Sequence, residues 1–214
     1  PQNFPPAPQG KKVAWPDRLA IAPDGGTLLV PLNLADQTAV VDVSSQKARY
    51  VKTGSYPYGA AILRDGKTGL VSNEADGTVS VIDLAGASKV KDIQVGPKLS
   101  HPEGIAVDPK TDRAYVAVAN ADQVAVIDTH TRTVERTLSV ERPEGLGTAP
   151  VDVTTTPGGE LLLVAESGAD QIGVYGLPSL KPGAHKKKKA RHREVSEAEA
   201  EATVRAAKVS SAWR

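Results

Sequence analysis

Pro102-Glu103-Gly104-Ile105-Ala106-Val107, then Arg113-Ala114-Tyr115-Val116-Ala117-Val118-Ala119-Asn120, then Val126-Ile127-Asp128, is the stretch that decides the fold. Short runs of β-branched and aliphatic residues, bounded by Gly, Pro, Asn and Asp, read as strands rather than helices. Pro102 stands fourteen residues before Val116, and the same offset joins Pro16 to Val30, Pro57 to Val71 and Pro150 to Val164. The valines themselves are 41, 45 and 48 residues apart. A constant internal offset with a drifting repeat length is what stacked supersecondary units with variable loops produce. The third run recurs as Val40-Val41-Asp42, Val81-Ile82-Asp83 and, degraded, Val174-Tyr175-Gly176, and a more polar fourth run follows at 48–51, 89–95 and 133–140. Four short antiparallel strands in a unit of about 40–45 residues is the plan of a β-propeller blade. The expected fold is therefore all-β, with full blades over 17–57, 58–102 and 103–150 and three strands of a fourth over 151–180.

The Arg113–Asn120 stretch, the Val-Ile-Asp segments and the Pro-Glu-Gly or Pro-Tyr-Gly entries to the blades resemble the YVTN-type β-propeller repeat family, close to the YncE-like group, over residues 11–180. The resemblance implies a ring, of seven blades in most members, and a secreted, periplasmic or surface-layer setting. Some chains of that group carry a phosphoesterase domain after the propeller, and similar propellers accompany redox cofactors in some enzymes. The main reading is an exported, non-catalytic recognition or assembly scaffold, with no cofactor and no metal assigned. The alternatives are the propeller part of a bifunctional chain with a separate phosphoesterase (hydrolase) domain, and a propeller subunit of a redox enzyme complex.

The chain has no cysteine, which excludes disulfides, thiolate metal sites and thiol nucleophiles. It has no apolar run long enough for a transmembrane helix. It starts at Pro1 and contains no methionine, which reads as a processed or truncated product. Three and three-quarter blades leave open sheet edges, so missing blades or other chains, in a large complex or a homo-oligomer, are the expected partners. Residues 1–9 read as a Pro-rich leader and Gly10 to Trp15 as a closing strand for a last blade.

The near-neutral total charge hides a polarised chain. Residues 1–180 hold sixteen basic and twenty-one acidic residues, whereas 181–214 hold ten basic and four acidic ones. Within that charged insertion or tail, Lys186, Lys187, Lys188, Lys189, Arg191 and Arg193 form a basic patch suited to an anionic surface. No aromatic residues interleave with it, which argues against nucleic acid. Ser196 and Glu199 have the spacing of a helix-starting capping box.

Alternating strand links place the loops at 33–37, 73–77, 120–123 and 166–171 on one rim, together with the blade-to-blade links at 56–58, 98–103 and 142–148. Loops on a rigid scaffold are the usual carriers of function, so Tyr58, Glu74, His101, Glu103, Glu144 and Glu166 are the candidate ligand or partner residues. His101, Glu103 and Glu74 form the one plausible metal or acid–base cluster, a thin one with a single histidine. Asp42, Asp83 and Asp128 are expected to take hydrogen bonds at strand ends, and Asp108 with Asp112 to form a surface turn rather than a calcium loop.

Overall fold

The computed structural model describes residues 3–4, 13–111, 113–141 and 147–177. The chain divides into two units, 1–179 and 180–214, and all described residues belong to the first. Asp112, Glu144, the basic patch and the segment expected to start a helix at Ser196 lie outside the described residues.

The described chain folds into four antiparallel sheets. Blade 1 contains β1 (Ala20–Ile21), β2 (Thr27–Leu32), β3 (Gln37–Asp42) and β4 (Lys47–Lys52). Blade 2 contains β5 (Pro57–Ile62), β6 (Thr68–Asn73), β7 (Thr78–Asp83) and β8 (Ser88–Gln94). Blade 3 contains β9 (Pro102–Val107), β10 (Arg113–Val118), β11 (Gln123–Asp128) and β12 (Thr133–Ser139). Blade 4 contains β13 (Pro150–Thr155), β14 (Leu161–Glu166) and β15 (Gln171–Gly176), three strands among the described residues. Strands pair in chain order within each sheet, so every connection is a local hairpin.

The repeat is visible in the backbone as well as in the side chains. Trp15, Tyr56, His101 and Ala149, each just before a blade-opening proline, all have positive φ. Asp36, Gly77, Asp122 and Asp170, after the turn that joins second and third strands, do so too, as do Gln46, Ala87 and Arg132 between third and fourth strands. Each set steps by the same 41, 45 and, where a fourth member exists, 48 residues. The aspartates closing the third strands act as expected. Asp42 accepts from the Ser45 amide and from both neighbouring serine hydroxyls, Asp83 from the Gly86 amide, and Asp128 from the His130 and Thr131 amides. Asp108 accepts from the Lys110 and Thr111 amides and the Tyr115 hydroxyl, which makes it the anchor of a turn.

The core lies between blades. Leu29, Val40 and Val51 of blade 1 pack on Val71, Ile82 and Leu84 of blade 2. Leu70, Val79, Val81 and Ile93 of blade 2 pack on Ala114, Val116, Val118, Ala125 and Ile127 of blade 3. Because side chains alternate along a strand, each blade buries both faces only when it has a neighbour on both sides. The outer face of blade 1 is covered by Ala14 and Phe4, which pack on Val30, Leu32, Ala39 and Val41. Main-chain carbonyls of Ala14 and Trp15 accept from the Leu34 and Asn33 amides, so the described part of the expected closing strand lies along blade 1.

Basic side chains latch one blade to the next. Arg49, opposite Val40 in β4, donates to the carbonyls of Leu84 and Ala85 in the last turn of blade 2. Lys91, opposite Val81 in β8, donates to the Arg132 carbonyl in the equivalent turn of blade 3. Arg136, opposite Val126 in β12, holds the same register, but among the described residues its Nε and Nη2 are buried without a hydrogen-bond partner.

Candidate functional site

Three equivalent positions from successive blades meet at one rim of the inner strands. The first is the residue before each blade-opening proline: Trp15, Tyr56, His101 and Ala149. The second is the residue after it: Asp17, Tyr58, Glu103 and Val151. The third begins the turn after each second strand: Asn33, Glu74, Ala119 and Ser167. Only where blades 2 and 3 adjoin do these positions supply two carboxylates and an imidazole together.

Each member of that group is held by main chain. The His101 amide donates to the Glu74 carbonyl at 3.2 Å, tying the blade 3 entry to the blade 2 turn. Asn33 Nδ2 donates to Glu74 Oε2 at 3.2 Å and to the Pro57 carbonyl at 3.3 Å. Glu74 Oε1 is left facing His101 Nδ1 at 3.9 Å, too far for a hydrogen bond. Below them the Gly59 amide donates to Ser72 Oγ at 2.8 Å, and that hydroxyl donates to the Glu103 carbonyl at 2.7 Å.

Two glycines make this approach possible. A Cβ on Gly59 would sit 2.1 Å from the Glu103 carbonyl oxygen, so the inner strands of blades 2 and 3 come this close only over a glycine. Gly77 has φ of +68° and a Cβ there would lie 2.1 Å from the Pro97 carbonyl oxygen. At this register the other blades carry aspartates. Asp36 accepts the Tyr56 amide and Asp122 the Thr148 and Ala149 amides, each fastening the link into the next blade. Glycine in blade 2 lets the link at 95–101 fold down onto the turn, where Val95 and Gly96 donate to the Gly77 carbonyl and Leu99 donates to that of Ala75. The departure from the repeat is what brings His101 to Glu74.

Charge accumulates here. Arg18 of blade 1 pairs with Asp152 of blade 4 and lies over the Tyr58 ring, 5.6 Å from its centroid. Arg18, Leu19, Ala60, Ile105 and Asp152 line an open cleft of about 450 Å³. Desolvation, then the neighbouring Glu74, push the Glu103 carboxyl up to about 7, with Asp152 and Asp17 adding to the effect and Arg18 opposing it. Desolvation also raises Glu74, against the Asn33 hydrogen bond and His101. Among the described residues, Glu74, His101 and Glu103 form the one group of three such side chains whose ligand atoms all lie within 4.8 Å of one another, a spacing that a divalent cation can bridge.

The other candidates behave differently. Tyr58 lies beside the site against Arg18, whereas Glu166 is 1 % exposed and accepts from Gln171 Nε2 and the Tyr175 hydroxyl inside blade 4. That burial removes Glu166 from the ligand-facing set. Arg18, Asp152, Asp17 and Asn33 were not singled out from the sequence. The legible signal was the register of Gly59 and Gly104, where blades 1 and 4 carry Arg18 and Asp152 instead.

A family model described as lactonase, 7-bladed β-propeller, matches residues 68–206. The seven-bladed β-propeller protein Rv1057 of Mycobacterium tuberculosis is 33 % identical over 118 residues, covering 51 % of this chain and 26 % of that protein. Among solved structures, hydrazine synthase of Kuenenia stuttgartiensis superposes with a TM-score of 0.72 and 24 % identity, over 83 % of this chain and 50 % of that one. Virginiamycin B lyase from Staphylococcus aureus gives 0.68 and 16 %, over 81 % and 55 %. At these identities the two superpositions establish the β-propeller fold alone, and the chain spans about a quarter of the curated relative and half of each structure. The matching family is the lactonase one, which corrects the narrower YVTN-type, YncE-like assignment. That match, with the assembled Glu74–His101–Glu103 group, also overturns the expectation that this chain lacks catalytic activity.

Proposed function

We propose, since the chain belongs to the lactonase, 7-bladed β-propeller family, that it contributes a hydrolytic site which opens a lactone ring at Glu103, His101 and Glu74. The observation that carries this reading is the desolvated Glu103 carboxyl, held near neutrality beside an imidazole and a second carboxylate. A general base works best when its pKa lies near the operating pH. In its ionised form Glu103 takes a proton from water as the water oxygen bonds to the lactone carbonyl carbon. The ring C–O bond then breaks, and the same proton passes from Glu103 to the departing alkoxide, leaving an open-chain hydroxy acid. The Glu74 carbonyl, which accepts the His101 amide, holds the blade 3 entry in place, and the His101 ring N–H serves the oxygen that gains negative charge.

This reading sides with the enzymatic alternatives over the scaffold, and an extracytoplasmic setting remains part of it. The test is titration of acid released from a γ-lactone, corrected for spontaneous opening. The rate should rise with pH to a plateau above about 7, because only the ionised form of Glu103 accepts the proton. Glu103→Gln should lose roughly 10²–10⁴ in kcat. An unchanged rate in Glu103→Gln would sink the assignment.

A further inference from the structure

Two features of the rim have no part in the proton transfers and both bear on what binds there. The first is charge. Asp17, Glu74, Glu103 and Asp152 surround the site, and the one guanidinium among them, Arg18, is already committed to Asp152 and the Tyr58 face. An anionic ligand would meet carboxylates on several sides and no free cation among these residues, and like charges at close range disfavour it strongly.

The second feature is apolar. Trp15 is 60 % exposed and Leu99 64 %, and Tyr56 is exposed as well. All three are fastened to the site by main chain. The Trp15 carbonyl accepts the amide of Asn33, the residue that holds Glu74, the Tyr56 carbonyl accepts the Glu74 amide, and the Leu99 amide donates to Ala75. Trp15 and Tyr56 hold the same register as His101, before a blade-opening proline with positive φ. Three exposed apolar side chains thus stem from main chain bonded to Asn33, Glu74 and Ala75.

We infer that the site takes an uncharged lactone with an apolar substituent, its ring at Glu103 and His101 and its substituent along Trp15, Tyr56 and Leu99. The inference rests on the hydrolytic reading for the word lactone, but ligand charge and polarity are testable without catalysis. The chain has two tryptophans, so Trp213→Phe makes Trp15 the sole reporter. With each ion's quenching normalised to that of N-acetyltryptophanamide, caesium should quench Trp15 at least about twofold more efficiently than iodide, because local negative potential concentrates cations. Asp17→Asn with Glu74→Gln should bring that ratio towards one.

In the Glu103→Gln background, a γ-butyrolactone with a six-carbon alkyl chain should shift Trp15 emission, and a carboxylate-bearing butyrolactone at the same concentration should not. For turnover by the full chain, kcat/KM should be at least about tenfold higher for the alkyl lactone than for the unsubstituted one, as each buried methylene adds affinity, and lowest for the anionic one. Iodide quenching equal to caesium, or preference for the anionic lactone, would overturn the inference. If the alkyl lactone binds but no lactone is opened, the hydrolytic reading fails while the ligand class stands. If it does not bind, the ligand class fails.

Discussion

The first three strands of blades 2 and 4 follow the same register and differ in burial. Val79 and Val124 are 0 % exposed, whereas Ile172, at the same register in blade 4, is 61 % exposed. The latches differ in the same way. Arg49 and Lys91 close on the following blade, while the equivalent Arg136 has no acceptor for its buried Nε and Nη2 among the described residues. Among the described residues, this register is buried where a following blade packs against it. The candidate site follows the same logic, since it forms at a seam, from Glu74 of one blade and His101 and Glu103 of the next.

The comparison can be broken most forcefully at Gly77. Gly77→Ala puts a side chain against a carbonyl in a left-handed conformation and should cost roughly 3 kcal/mol or more, read by urea denaturation. Asp122→Ala, at the same register in blade 3, should cost only about 1–2 kcal/mol for its lost amide bonds. Equal effects would mean that blade 2 is not specially tightened. Next in size is the pair Val79→Ala and Ile172→Ala. The buried valine should cost about 1.5–3 kcal/mol and the exposed isoleucine less than about 0.5 kcal/mol.

The latches sharpen the contrast further. Arg49→Met should lose roughly 1–2 kcal/mol with its two carbonyl bonds, and Arg136→Met should be neutral or stabilising, because it removes donors that are buried without partners among the described residues. A loss at Arg136 equal to that at Arg49 would show that an acceptor reaches it. The smallest effect is electrostatic. Glu103 binds its proton more tightly folded, at about 7, than its ordinary value of 4.5. It therefore lowers stability progressively as pH rises from about 4.5 to 7 and by a constant amount above that. Glu103→Gln should flatten this window and be more stable than the parent at pH 8, by on the order of 1 kcal/mol once solvent screening is allowed for.

Much of the fold was legible because its signal is local and repeated. The offset from Pro16 to Val30 and its three echoes fixed second strands, and Asp42, Asp83 and Asp128 declared their turns by composition. Part of the site was legible for the same reason: alternation of strand links put Glu74, His101 and Glu103 on one rim. What could not be read was which rim residues face ligand. Glu166 was expected on a rim loop but ends β14, and its carboxylate turns inward to Tyr175 and Gln171, a choice made by packing in blade 4. Arg18 and Asp152 belong to blades 1 and 4, and nothing in their local sequence announces that the two meet. The proposed hydrolytic role had no contiguous motif to announce it, because His101 and Glu103 stand 27 and 29 residues after Glu74 in the chain.

The most direct test of the account is a carbon-detected NMR titration of the glutamate side-chain carboxyls in the full chain. Glu103, assigned by its disappearance in Glu103→Gln, should titrate with a midpoint near 7 and shift downward in Glu74→Gln, as the neighbouring negative charge is removed. A midpoint near 4.5, unmoved by Glu74→Gln, would contradict a desolvated, charge-coupled site at the seam between blades 2 and 3.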